Sequence, residues 1–297
     1  MTVTVAASTA VLNRLQLLVS RRLDGLLQGD YLGLLPGPGS EAGESREYVP
    51  GDDVRRMDWP VTARTTVPHV RLTVADRELE TWLAVDLSAS LGFGTATMLK
   101  RDLALAAAAA MTHLTVRGGN RVGAVIACGG TTVVKRPARS GRLAAQALLR
   151  TIARAPSTPG PALASALEAL QRPVRRRGLA VVISDFLEPP GVWAWSLRRL
   201  AVRHEALAIE LTDPRELDLP NVGVLDLIDP ETGIVHSVQT ADPVLRRRYA
   251  SAARGQRERI ARAVREAGAR HLCLSTGSDW LADLVRFVAA QRLRRRR

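Results

Sequence analysis

LAVDLSAS, Leu83 to Ser90, is the stretch on which the fold turns. Its apolar run stops at Asp86, and Ser88 and Ser90 follow at alternate positions. The same ending recurs in VVISDF, Val181 to Phe186, where the run from Leu179 to Ser184 stops at Asp185. Short continuous apolar runs bounded by turn signals read as strands buried on both faces, the pattern of a parallel sheet. Between the two, Leu99 to Val116 is Ala-rich and predicts a helix stopped by Gly118-Gly119-Asn120. Val122 to Ala127 and Thr131 to Lys135 predict a hairpin around Gly129-Gly130.

Helices follow at 142–154 and 162–171, separated by the breaker-rich APSTPGP of residues 155–161. Beyond Asp185 the pattern gives a helix at 192–202, a buried strand at 206–211 and a Pro-, Asp- and Gly-rich segment, 213–240, with short β-like pieces at 222–228 and 234–238. An Arg-rich helix at 243–267, a strand at 271–275 and a helix at 280–291 close the chain. Strands alternating with helices predict an α/β fold, a mostly parallel sheet covered on both faces. Upstream, residues 11–27 have the spacing of an amphipathic helix, 36–45 (PGPGSEAGES) read as a mobile loop, 46–64 are polar and turn-rich, and 69–75 predict a strand. The expected organisation is therefore 1–45 as N-terminal helix and loop, 46–80 as a segment packed on the main domain, and 81–297 as that domain, with 213–240 as a small β-like insertion.

Composition narrows the class. The 297 residues are 46% hydrophobic and 24% charged, which suits a globular protein. Cys128 and Cys273 are too few for a disulfide framework, and a cytoplasmic location is expected. The longest apolar runs fall short of the roughly 18 residues of a membrane span, and the N-terminus lacks a basic start and small-residue cleavage site.

In an open α/β sheet, ligands bind beyond the carboxyl ends of the strands, where the strand order reverses. If the strands ending at Asp86 and Asp185 are neighbours there, both carboxylates meet in one crevice with Ser88 and Ser90. Carboxylates and hydroxyls without His or Cys suit a hard divalent ion, Mg²⁺ or Mn²⁺. The plainer alternative makes Asp86 and Asp185 helix caps.

Asp-Leu-Ser-Ala-Ser at 86–90 resembles the DxSxS metal-ion-dependent adhesion site of von Willebrand factor type A domains. Arg46-Glu47-Tyr48, Gly51-Asp52-Asp53, Arg55, Asp58-Trp59 and Ala63-Arg64 resemble the signature of the bacterial domain-of-unknown-function fifty-eight (DUF58) proteins. That likeness continues through Ser184-Asp185-Phe186, Asp213-Pro214 with Glu216, Asp229-Pro230-Glu231-Thr232-Gly233 and the Arg-rich end. It implies a von Willebrand factor type A-like, doubly wound sheet and a metal held by Asp86, Ser88, Ser90 and Asp185, completed by an acidic side chain of a partner. It also implies a non-enzymatic interaction module accompanying a MoxR-type AAA+ ATPase and its client proteins in chaperone or assembly work. One departure stands out. Type A domains carry a Thr before the helix leading to the fourth strand, and Pro161 occupies that position here. Thr158 could substitute only if the 155–161 loop is re-routed, and Ser157 is a weaker candidate.

Asp52, Asp53 and Asp58 alternate with Arg46, Arg55, Arg56 and Arg64, more a turn-fixing network than an active site. The five histidines are scattered, and Gly92-Phe93-Gly94 opens no nucleotide-binding pattern. A metal-dependent hydrolase is the alternative that shares the metal. A non-specific nucleic-acid binder is prompted by the net charge of +13. That excess is local: residues 246–297 hold 15 Arg against four acids, a candidate docking surface for an acidic protein. Only two of the 42 basic residues, Lys100 and Lys135, are lysines.

Overall fold

The computed structural model describes residue 23 and residues 45–54, 57–71, 80–172, 177–230 and 232–295. The helix expected at 11–27, residue 23 apart, and the loop at 36–44 lie outside the described residues. The chain divides into two compact units, Leu35–Glu78 and the remainder.

In the smaller unit, β1 (Ser45–Glu47) pairs antiparallel with β2 (His69–Arg71), with Ser45 opposite Arg71. The turn-rich segment between them is not all loop, because Trp59–Thr65 forms a helix, α1. Its start is local chemistry: the Asp58 carboxylate accepts from Val61 N–H, and Pro60 sits in the first turn, where a missing N–H costs nothing. At seven residues this helix is too short to show periodicity in the sequence. The expected network is present in part. Arg46 holds Asp52 through its two terminal guanidinium nitrogens, at 2.7 and 2.5 Å, and the Ser45 hydroxyl donates to Asp58.

The larger unit is built on six strands: β3 (Glu80–Asp86), β4 (Arg121–Ala127), β5 (Val133–Arg139), β6 (Leu179–Ser184), β7 (Glu205–Thr212) and β10 (Arg270–Ser275). Their order across the sheet is β10-β7-β6-β3-β4-β5, all neighbours parallel except β4 with β5. Numbered within the sheet this is 3-2-1-4-5-6, the doubly wound order, and it reverses between β3 and β6. The type A-like architecture implied by the resemblance requires such a sheet. The hairpin partner β5 runs further than expected, to Arg139 through Pro137, with an irregularity opposite Val122 and Ala124. Between β7 and β10 lie a one-turn helix, α6 (Pro214–Leu217), and an antiparallel pair, β8 (Val224–Ile228) and β9 (Val235–Gln239).

Alternation along the strands sorts the core into two faces. Trp82, Ala84, Ala180, Val182, Ala206 and Ala208 pack with helices α4 (Leu163–Gln171), α5 (Pro190–Arg203) and α7 (Pro243–Glu266). Phe186 and Trp193 meet edge to face there, ring centres 5.1 Å apart. The intervening residues of the strands turn to the other face, against α2 (Lys100–Arg117) and its neighbour α3 (Arg142–Arg154). α2 buries Ala104 and Ala106 to Ala110, as expected of a helix apolar all round. α8 (Trp280–Arg295) packs beside β10.

Candidate functional site

The reversal between β3 and β6 places Asp86 and Asp185 side by side. Val85 pairs with Ile183, so the next residues, Asp86 and Ser184, emerge together at the carboxyl end of the sheet. The Ser184 hydroxyl donates to Asp86 Oδ2 at 2.7 Å, and Ser88 N–H donates to Asp86 Oδ1 at 2.9 Å. Ser88 and Ser90 hydroxyls are 3.1 Å apart. A cleft of about 330 Å³ opens over them, lined by Asp86, Ser88, Ser90, Pro161, Ser184, Asp185, Leu187, Glu188, Asp229 and Pro230. The four residues expected to meet do so. Neither aspartate caps an α-helix: the helix after Asp185 begins at Pro190, and a 3-10 turn, Ala89–Gly92, follows Asp86.

The two aspartates differ electrostatically. Burial, and then the neighbouring Asp185 charge, push the Asp86 carboxyl up to about 7, against the lowering pull of its hydrogen bonds. Asp185 has a resident cation. Lys100, the first residue of α2 and 1% exposed, donates from Nζ to Asp185 Oδ2 at 2.9 Å and to Glu216 Oε1 at 2.5 Å. Burial opposes its charge, but Asp185 and Glu216 outweigh burial and hold the ammonium above its ordinary range. Arg257 of α7 completes this wall, bonding Glu216 Oε2 at 3.1 Å, the Asp185 carbonyl at 3.1 Å and Glu210 Oε1 at 2.8 Å. Glu216 is placed by Asp213: the two form a capping box on α6, and Asp213 also accepts from Thr95 and Thr276.

The loop at 155–161 settles where Thr158 goes. Gly129 has φ +110°, and a Cβ there would lie 1.9 Å from the Thr158 carbonyl oxygen, so the hairpin turn and this loop touch backbone to backbone. Thr158 N–H and hydroxyl both donate to the Cys128 carbonyl, at 2.7 and 2.9 Å, and Thr158 is not among the cleft-lining residues. Ser157 donates to the Ser88 carbonyl at 3.0 Å. Pro161 reaches the cleft and carries no side-chain oxygen.

Sequence reasoning missed Glu188. Its Oε1 accepts from Ala162 and Leu163 N–H, at 2.9 and 2.7 Å, which starts α4 directly after Pro161. Its Oε2 is buried without a hydrogen-bond partner. A buried acceptor left unmatched is costly, so an orphan oxygen beside the cleft has the character of a ligand position. Lys100 was also missed, although a lysine in a chain that otherwise uses arginine was itself a signal. The donor set fits a hard divalent cation. Adjacent oxygens around Mg²⁺ at about 2.0–2.1 Å stand about 3 Å apart, close to the Ser88–Ser90 spacing of 3.1 Å.

Comparison with known proteins places the chain. The family described as "Protein of unknown function DUF58" matches residues 44–259, and the chain belongs to it. An uncharacterized protein of Mycobacterium tuberculosis is 58% identical over 286 residues, spanning 95% of this chain and 89% of its own. An uncharacterized protein of Mycobacterium bovis matches to the same extent. Among solved structures, the conserved hypothetical protein BatB from Bacteroides thetaiotaomicron is 15% identical with a TM-score of 0.45, covering 72% of this chain and 98% of its own. The SpRpn10 VWA domain is 13% identical with a TM-score of 0.39, covering 70% and 93%. Among the described residues, no helix is long and apolar enough to cross a membrane.

Proposed function

We propose that the protein is a non-enzymatic interaction module that holds Mg²⁺ or Mn²⁺ with Asp86, Ser88, Ser90 and Asp185, and through the ion an acidic side chain of a protein partner. The observation that carries this reading is the convergence of those four residues in one cleft at the strand-order reversal. Thr158 is committed to the Cys128 carbonyl, so the position left by Pro161 falls to water or to the orphan oxygen of Glu188. A bound cation would turn an acid-lined crevice into a receptor for a carboxylate. Lys100 already offsets part of the acidic charge, which keeps the crevice tolerable in a fold without the ion. Resemblance to the DUF58 proteins supports a MoxR-type AAA+ ATPase as that partner, with the pair acting on client proteins in the cytoplasm.

Calorimetric titration with Mg²⁺ and Mn²⁺ tests the metal. Wild type should give heat that Asp86→Ala loses, and silence from both proteins ends the metal reading. The adaptor role is tested separately, by co-purifying the ATPase from native cells with wild type and Asp86→Ala. Equal recovery of the ATPase by both removes the cleft from the contact.

A further inference from the structure

Outside the cleft, the described residues bring together a second donor group, Glu210, His271 and Cys273. β10 is the outermost strand and β7 its parallel neighbour. Because side chains alternate, His271 and Cys273 share one face of β10, while Leu272 and Leu274 are buried on the other. Register sets Cys273 directly beside Glu210. Glu210 Oε2 accepts from Cys273 Sγ at 3.0 Å and lies 2.7 Å from His271 Nε2, with sulfur and imidazole nitrogen 3.9 Å apart. The carboxylate is 1% exposed, and Arg257 grips its other oxygen, so Oε2 is aimed at the pair. Cys273 is exposed, which leaves an approach from solvent.

We propose that Glu210, His271 and Cys273 form a zinc site at the edge of the sheet, with water as the fourth ligand. Thiolate, imidazole and carboxylate are the zinc donor set, with bonds of about 2.3, 2.0–2.1 and 2.0–2.2 Å. Tetrahedral angles at those lengths put donors about 3.3–3.6 Å from one another. The observed separations of 2.7, 3.0 and 3.9 Å bracket that range, so movements of about half an ångström admit the ion. Binding breaks the Cys273 S–H bond and releases that proton to water, moves the imidazole proton of His271 from Nε2 to Nδ1, and forms the zinc–sulfur and zinc–nitrogen bonds, with no change of oxidation state. Two ligands come from β10 and one from β7, so the ion would clasp the outermost strand to its neighbour. Arg257 would act as the support that orients the carboxylate, as partners of metal ligands commonly do.

The test uses untagged full-length protein, stripped with chelator and titrated with Co²⁺ and then Zn²⁺. A near-ultraviolet sulfur-to-cobalt charge-transfer band that saturates with one Co²⁺ per chain, and that Zn²⁺ abolishes, is the expected result. Cys273→Ser should lose the band and His271→Ala should weaken binding by at least tenfold, both retaining wild-type circular dichroism. Asp86→Ala should keep the band, which separates this site from the cleft. Zn²⁺ should also protect Cys273 from alkylation, with the buried Cys128 as internal reference. Absence of the band in wild type, or its survival in Cys273→Ser, overturns the zinc site.

Discussion

Two clusters sit on one sheet, and each is built around a buried carboxylate that faces a cation. At the ends of β3 and β6 the donors are all oxygen, and the cation is Lys100 on Asp185. On β7 and β10 the donors are carboxylate, imidazole and thiol, and the cation is Arg257 on Glu210. The difference is one of chemical hardness: the first set suits Mg²⁺ or Mn²⁺, the second zinc. It is also one of cation type. A compact ammonium fits between the buried Asp185 and the half-buried Glu216 carboxylates at 2.9 and 2.5 Å, whereas a planar guanidinium spreads over Asp185, Glu210 and Glu216.

The sharpest way to break this comparison is to remove the ammonium. Lys100→Met leaves Asp185 and Glu216 without it, and unfolding free energy in urea should fall by about 3–5 kcal/mol. Mg²⁺ should restore more stability to this variant than to wild type. If Mg²⁺ shifts neither, Asp185 is a structural ion-pair partner and not a ligand.

Next comes the pH dependence of Asp86. Its folded pKa, about 7, lies above the ordinary 3.8, so the native state holds a proton that the unfolded chain has released. Stability from this group is therefore full at low pH and lost as pH rises from about 4 to 7. Asp86→Asn cannot lose it, so the variant should gain on wild type over that window by on the order of a few kcal/mol. Saturating Mg²⁺ should shrink the gap, since a cation favours the carboxylate. A gap independent of pH would deny the elevated pKa.

Glu188 and Pro161 give a smaller, paired effect. Glu188→Gln should weaken Mg²⁺ by about tenfold, and Pro161→Thr in that background should recover most of the loss, roughly 1.4 kcal/mol by calorimetry. Unchanged affinity in Glu188→Gln would leave water as the replacement ligand. The smallest expected change is Thr158→Val, which deletes the hydroxyl's bond to the Cys128 carbonyl, leaves the backbone one, and should cost about 1 kcal/mol of stability without touching Mg²⁺ affinity. Weakened binding would return Thr158 to the ligand set.

Much of the first cluster was legible in the sequence because its parts lie at strand ends. The runs before Asp86 and Asp185 announced buried strands, and strand order did the rest. The helix Arg142–Arg154 and the strand Leu179–Ser184 match their expected bounds, since apolar periodicity is a local property. The second cluster and the cations were not legible. Lys100 meets Asp185 and Glu216 across 85 and 116 residues, and Arg257 meets Glu210 across 47, separations at which sequence carries no pairing signal. Thr158 could not be placed either, because the close approach of Gly129 depends on tertiary packing.

The far edge of the sheet has a consequence for how the protein meets other chains. β5 is the only antiparallel strand of the six and the last in order. It exposes Lys135, Arg136, Pro137 and Arg139, and its pairing with β4 is interrupted by the irregularity near Val122. Charge, proline and a broken ladder are the means by which natural sheets refuse an extra strand. Growth of the sheet into a polymer is thereby discouraged on that side, and recognition by strand addition there is closed to a partner.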